Sequence, residues 1–271
     1  MNRKWTYLMA GLGLSALMLA GTGCDKLRAR DQLNRGVQAY RNAKYPEAVE
    51  RFKTAVQLDP TFPTARLYLA TAYMSQYIPG AESPENLDMA KAAHEEFLRV
   101  LEQSPKDTIA IASIASLYFN QKKFDEAQEW NRKLIAVDPK NKEAYYTLGV
   151  IAWTKAFQLD AEARAKLGMR PEDPGPLKDK KLREALKEQN LAMIEQGLKD
   201  LEKALEVDRE YDDAMAYVNL LYRQRADLQD TSEAYQKDTD TADNWVQKTL
   251  DTKKMKAARA PTGVITAEPA K

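Results

Sequence analysis

The feature that most constrains this chain is a stretch of two successive helical patterns, which covers residues 109–139. In each half of the stretch, small or apolar side chains recur at steps of three and four residues, and a short polar segment separates the halves. Such steps place side chains on one face of an α-helix. The second half stops at Asp138-Pro139, because proline cannot continue a helix and disfavours helical geometry in the residue before it. The stretch therefore predicts two short amphipathic helices that pack against each other.

The same pattern recurs, with changes, along nearly all of the chain after residue 25. Pro105 and Pro139 close two successive copies and stand 34 positions apart. The copies resemble the tetratricopeptide repeat, a helix–turn–helix unit of about 34 residues. The resemblance implies an all-α, right-handed α-solenoid of about five repeats. In the stretch at 109–139, it is carried by Ala115, Tyr118, Phe124, Ala127, Leu134 and Pro139.

We predict a solenoid over residues 24–252, with repeats at about 26–60, 61–105, 106–139, 140–209 and 210–252. The second repeat contains an expanded link, and Ser83-Pro84 within it has the pattern of a helix start, with a capping serine followed by proline. In the fifth repeat, residues 225–241 are predicted to be a long polar link. Residues 253–271 lack periodicity and are predicted to be a disordered tail.

The fourth repeat carries a much longer insertion. Ala152 and Gly197 stand 45 positions apart, against nine between the equivalent Tyr118 and Ala127. Apolar side chains keep helical spacing on both sides of a Pro- and Gly-rich break. We interpret residues 155–196 as a lengthened helical hairpin that projects from the stack; a disordered excursion is the alternative.

The first 23 residues have the pattern of an export signal. Arg3 and Lys4 precede an apolar run at 5–20, and the chain's one cysteine, Cys24, follows. This arrangement resembles a bacterial lipoprotein signal, although Gly21 departs from that family's pattern. The resemblance implies lipidation of Cys24 and a protein anchored in the bacterial cell envelope, facing the periplasm. Ordinary cleavage, or an uncleaved anchor over residues 5–23, remain alternatives.

The charge balance and the residue counts exclude several classes of function. With 41 basic and 40 acidic residues, the chain lacks the basic surplus that phosphate binding requires, so we predict no nucleic-acid partner. One cysteine and one histidine exclude an internal disulfide framework and a His/Cys metal site. His94 stands alone, without a nucleophile or an acid–base partner in its pattern. We therefore predict no catalytic site, no metal and no cofactor.

The resemblance also implies where a partner would bind. In tetratricopeptide repeats, the first helix of each repeat lines a concave surface, and the residue four positions after the small residue faces it. These groove positions are Tyr40, Met74, Phe119, Trp153 and Arg223, joined by Asn120. Four of the first five are large and apolar or aromatic, which predicts a protein or peptide ligand with apolar character.

Two other interpretations of this stripe, and one other interpretation of the whole protein, remain open at the level of sequence. The stripe could be internal packing, or it could be covered by the hairpin or the tail of the same chain. Alternatively, the hairpin at 155–196 could pair with itself, which would make the protein a self-associating structural module and a homo-oligomer.

Overall fold

Helices in consecutive pairs make up nearly all of the computed structural model, which describes residues 24–170 and 173–259. No strand occurs within these ranges, so the all-α prediction is confirmed there. The predicted leader at 1–23 and the tail beyond residue 259 lie outside the described residues. The described helices are α1 (24–41), α2 (Tyr45–Leu58), α3 (Pro63–Met74), α4 (Pro84–Gln103), α5 (Thr108–Asn120), α6 (Phe124–Val137), α7 (Lys142–Lys166), α8 (Lys180–Val207), α9 (Asp212–Ala226) and α10 (Ser232–Arg259).

These helices group into two compact units. The N-terminal unit contains α1 to α5 and α6 up to Lys133, and the C-terminal unit runs from Leu134 through α10. None of the helices in the described ranges has an apolar stretch long enough to cross a membrane.

In the N-terminal unit, small residues let neighbouring helices come close, as the repeat pattern predicts. Ala70 and Ala115 are buried. Gly36 is buried on α1, where an added Cβ would lie only 2.4 Å from Cε1 of Phe52 on α2. Two apolar clusters form the core, one around Phe52 and one around Phe97.

The expanded link of the second repeat is ordered by one buried amide. The Asn86 side chain accepts a hydrogen bond from the N–H of Ile78 at 2.7 Å and donates to the carbonyls of Ile78 and Ala81 at 2.9 and 2.8 Å. The hydroxyl oxygen of Ser83 accepts from the Asn86 N–H, and Pro84 is the first residue of α4. The predicted helix start at Ser83-Pro84 is therefore confirmed.

In the C-terminal unit, the fourth repeat is built from two unusually long helices. α7 has 25 residues and α8 has 28, so the predicted hairpin helices are continuous with the helices of the repeat itself. Where the two helices cross, an added Cβ on Gly197 would lie 2.6 Å from Cβ of Ala152, and one on Gly149 would lie 2.4 Å from Cγ of Leu201. Glycine at these crossings therefore permits the close contact of α7 with α8.

The prediction that the hairpin projects away from its neighbours is wrong. Ala163, Leu177 and Leu186 are buried in one cluster with Leu221 and Leu228, which follow in α9 and just after it. The reason is that the hairpin carries a buried face of its own. That face is covered by the end of α9 and the start of α10.

Two further predictions about the fifth repeat are wrong at their boundaries. Most of the link predicted at 225–241 is helical, because α10 begins at Ser232, and its Asp238 is buried in a two-pronged pair with Arg225. The predicted tail at 253 also starts too early, since α10 continues to Arg259. Its last turns are held by Lys256 on Asp212 and by Arg259 on Glu210.

Candidate protein-binding site

A row of aromatic rings runs along the first helices of the fourth and fifth repeats. We call the set Phe157, Trp153, Tyr217, Tyr146 and Tyr211 the aromatic row. Neighbouring ring centroids in this order are 5.2, 5.5, 5.5 and 5.2 Å apart. Such distances and the mixture of stacked and edge-on angles are those of favourable aromatic pairs.

Helical spacing explains how the row forms. Tyr146, Trp153 and Phe157 follow at steps of seven and four on α7 and therefore share one face. Tyr217 comes from α9, which packs directly on α7, and Tyr211 precedes α9. Four of the rings are half-buried, and Phe157 is 41% exposed. The row is thus anchored in the core by one side and open to solvent by the other.

Burial raises the pKa of two phenols of the row, those of Tyr146 and Tyr211. It raises the pKa of Tyr146, and the nearby Tyr217 and Asp213 add to the rise. It raises the pKa of Tyr211 to about 12, with Glu143 and Asp213 adding to the effect. The row is therefore an apolar surface on which the hydroxyl groups of Tyr146 and Tyr211 can donate hydrogen bonds at neutral pH.

A cavity of about 600 Å³ lies at the Phe157 end of the row. It is formed by α7, the loop before α8, α9 and the start of α10. Its walls combine apolar, aromatic and charged groups: Trp153, Phe157, Asp160, Ala161, Arg164, Ala165, Met169, Asp173, Pro174, Leu220, Arg223, Gln224, Asp227, Tyr235 and Thr239.

A buried ion cluster of Asp160, Arg164 and Asp227 lies in the wall of this cavity. Arg164 donates to Oδ2 of Asp160 at 2.9 Å and to Oδ2 of Asp227 at 2.5 Å. It also donates to the carbonyls of Arg170 and Asp173, at 3.3 and 2.9 Å. One guanidinium thus fixes α7, the loop after it and the end of α9, which positions the cavity walls.

The electrostatics of the cluster are unusual for carboxylates. Burial raises the pKa of Asp160 to about 6, Asp227 adds to the rise, and Arg164 opposes it. Burial likewise raises the pKa of Asp227 against the opposing effect of Arg164. Both shifts arise because removal from water disfavours the charged form of a carboxyl group.

The predicted groove residues of the first three repeats all belong to the N-terminal unit and are half-buried. The hydroxyls of Tyr40 and Ser75 are 2.7 Å apart, and the ring of Tyr40 meets Tyr45 edge-on at 5.3 Å. Met74 packs against the cluster around Phe97. Phe119 meets Phe124 edge-on at 5.8 Å, and Asn120 is the last residue of α5. That these four residues line a ligand groove stays a prediction.

The structure brings together the two predicted groove residues of the C-terminal unit, because Trp153 and Arg223 line the same cavity. Arg223 is exposed and donates to Asn219 at 2.9 Å and to Asp243 at 2.6 Å. Sequence reasoning missed Phe157, although its spacing from Trp153 could have indicated it. It also missed Asp160. An aspartate four positions before an arginine in a helix is normally interpreted as half of a solvent-exposed ion pair.

The chain's one histidine and one cysteine, His94 and Cys24, were also considered as functional residues from the sequence. The Nε2 atom of His94 lies 3.1 Å from the hydroxyl of Tyr118, and burial lowers the pKa of the imidazole. Cys24 is exposed and carries a free thiol. Within residues 24–170 and 173–259, no group of histidine, cysteine, aspartate or glutamate side chains could hold a metal ion.

Comparisons with known proteins match two parts of the chain to repeat families. Residues 40–76 match a family described as TPR repeat, and residues 110–141 match a family described as Tetratricopeptide repeat. A comparison with curated protein sequences finds no match.

Solved structures show the same fold at low sequence identity. A crystal structure of MamA protein is 14% identical, with 86% of this chain and 96% of that chain covered and a TM-score of 0.57. MamA (41-end) from Desulfovibrio magneticus RS-1 is 16% identical, with 84% and 96% covered and a TM-score of 0.56. YrrB, described as a TPR protein with an unusual peptide-binding site, is 13% identical, with 82% and 90% covered and a TM-score of 0.51.

Proposed function

Since the chain is a tetratricopeptide-repeat protein, we propose that it is a binding scaffold that holds an apolar or amphipathic segment of another protein on its aromatic row. The observation that carries the proposal is the continuity of five rings along two first helices. Buried aromatic side chains offer about 150–250 Å² each for contact. A contiguous apolar surface of this kind marks a binding site more often than an isolated exposed side chain does.

The fold supports binding as the function. YrrB, which shares the fold, is described as having a peptide-binding site. The row lies on α7 and α9, the first helices of their repeats, where the family resemblance places a partner surface. The core fixes the inner side of the same rings, so the binding surface is already formed. Binding would therefore cost little conformational entropy of these side chains.

The test removes two adjacent rings of the row. In the double variant Trp153→Ala and Phe157→Ala, we expect recovery of the partner to fall at least tenfold in a crosslinking pull-down from the native envelope, read by mass spectrometry. The matched control is Trp245→Ala with Leu250→Ala, which removes a half-buried tryptophan and an exposed apolar residue of α10 that are not members of the row. Equal recovery with both variants, at unchanged helix content, would refute the proposal.

We further propose that the scaffold is tethered to a bacterial membrane by lipid on Cys24 and faces the periplasm. The support is the leader pattern before Cys24 and the free, exposed state of that thiol. Wild-type protein expressed in bacteria should partition into the detergent phase, and Cys24→Ser should partition into the aqueous phase. If both proteins partition alike, the lipid anchor is wrong.

The structure favours partner binding over self-pairing of the hairpin at 155–196. In the described part of this hairpin, Phe157 is the one large apolar side chain that is exposed, and most of the others pack within their own unit. A self-associating hairpin would need an apolar face that its own unit does not already cover. A monomer by sedimentation at micromolar concentration is the result expected from this packing.

A further inference from the structure

The cavity at the end of the aromatic row joins two kinds of wall. Trp153 and Phe157 stack at 5.2 Å with their planes 26° apart and form a flat aromatic wall. Asp160, Arg164 and Asp227 form a charged wall. A space of about 600 Å³ is large enough to take a side chain together with part of the backbone that carries it.

The charged wall has an unbalanced negative charge. Arg164 is a cation that the carboxylates of Asp160 and Asp227 share. The other arginine of the cavity, Arg223, is paired with Asp243, and the carboxylate of Asp173 is paired with Arg170. Among the described groups of this wall, the two carboxylates of Asp160 and Asp227 face one guanidinium, so their formal charges sum to minus one.

One buried oxygen of a residue in this wall has no partner among the described residues. Asp160 is 4% exposed, and its Oδ1 accepts no hydrogen bond from residues 24–170 or 173–259. Buried carboxylate oxygens are normally paired, and an unpaired one at a cavity wall is a feature of sites that are completed by a ligand. A donor with a positive charge would satisfy both this oxygen and the unbalanced charge.

We infer that the cavity takes a lysine or arginine side chain from the segment bound on the aromatic row. The inference rests on the proposed function, because the row and the cavity share Trp153 and Phe157. The cation of the incoming side chain would lie against the aromatic wall and donate to Asp160. An anionic side chain would meet net negative charge, and an apolar one would leave Oδ1 of Asp160 unpaired. The partner is therefore an apolar segment with one basic residue.

The test selects peptides without assuming a sequence. A phage library of random peptides is panned against the full-length protein, against Asp160→Asn and against Glu162→Gln. Asparagine keeps the shape of Asp160 and removes its charge. Glu162 lies two residues further along α7, is exposed and does not line the cavity, so its variant matches the change in net charge.

We expect the wild-type protein and Glu162→Gln to enrich apolar peptides that contain a lysine or arginine at a fixed position, and Asp160→Asn to lose that preference. An arginine peptide from the selection should bind the wild-type protein at least tenfold more tightly than the same peptide with citrulline, which has nearly the same shape without the charge. This second measurement does not depend on how well any variant folds.

Two results would overturn the inference, and they differ in what they say about the proposed function. Apolar peptides enriched without a basic position, or equal binding of the arginine and citrulline peptides, would refute the basic side chain and leave the aromatic row as a binding surface. No enrichment above an uncoated control would refute both.

Discussion

At the scale of single residues, the crossing of α7 and α8 depends on the absence of one side-chain carbon. Gly197 faces Cβ of Ala152, and that atom is fixed directly to the backbone, so it cannot rotate away. Cδ1 of Leu221 would lie 3.0 Å from an added Cβ on the other side. An alanine side chain at position 197 would therefore clash with atoms on two sides.

Gly197→Ala is expected to destabilise the protein by about 2 kcal/mol, as overpacked cores generally are. The sign is informative, because alanine in an unhindered helix is more favourable than glycine by about 1 kcal/mol. Thermal unfolding followed by circular dichroism measures the change. Ala185→Gly, at an exposed position of α8, calibrates the propensity term. A gain in stability for Gly197→Ala would contradict the close crossing.

A second residue-scale feature is the way three helices end. Ala43, Lys122 and Gly168 have φ values of 57°, 58° and 64°. In each case, the N–H of the next residue donates to the carbonyl five positions back: Lys44 to Ala39, Lys123 to Tyr118, and Met169 to Arg164. This is the Schellman type of helix end, which favours glycine at the left-handed position. Two of the three ends therefore carry a side chain where glycine is preferred.

Ala43→Gly should stabilise the protein by about 0.5–1 kcal/mol, because glycine adopts positive φ without a steric cost. Lys122→Gly should act in the same direction at the equivalent turn. Denaturant unfolding of the two variants measures both effects. A loss of stability at both positions would show that the entropy of glycine in the unfolded chain outweighs the strain.

At the scale of elements, the enlarged fourth repeat and the fifth repeat act as one packing system held by Arg164. Asp160 pairs with that arginine and yet has a raised pKa, because burial and the charge of Asp227 outweigh the pairing. The folded protein therefore keeps a proton on Asp160 that the unfolded chain releases at lower pH. The associated stability is complete below the unfolded pKa of about 3.9 and is lost as the pH rises through about 6.

This linkage gives a measurable difference between two proteins. From about pH 4 to about pH 7, the unfolding free energy of wild-type protein should fall by about 2 kcal/mol relative to that of Asp160→Asn. Urea unfolding at both pH values, with the variant as the reference, removes the contribution of all other groups that titrate alike in the two proteins. A difference that stays constant with pH would show that Asp160 titrates normally.

The same elements show what a local pattern can and cannot predict. The repeats and their small residues could be predicted, because helical spacing is a property of neighbours in the sequence, and Gly36, Ala70 and Ala115 are buried accordingly. The pairing of Arg164 with Asp227 could not, since it joins residues 63 positions apart. A charged residue viewed alone is most simply assigned to the solvent face, and only the fold shows which charges are buried together.

At the scale of the whole molecule, the net charge indicates which classes of partner the protein can bind, and it says little about the fold. From Cys24 onward the chain has 39 basic and 40 acidic residues, because Arg3 and Lys4 precede that cysteine. We expect the full-length protein not to retain a labelled DNA duplex in a filter assay at about 0.1 M salt. Retention that weakens steeply as salt rises would contradict this prediction.

The contacts that Arg164 and the loop before α8 make with the fifth repeat limit how chimeras can be built from these repeats. The loop before α8 reaches the later helices by two backbone donors: the Gly175 N–H bonds to the hydroxyl of Tyr235, and the Leu177 N–H bonds to the carbonyl of Asp227. A graft that shortens the fourth repeat to ordinary length would remove both backbone donors and the Arg164 guanidinium. Tyr235 and Asp227 of the following segment would then lose these hydrogen-bond partners. Breakpoints for recombination therefore belong before α7 or after α10, with both repeats transferred as one cassette.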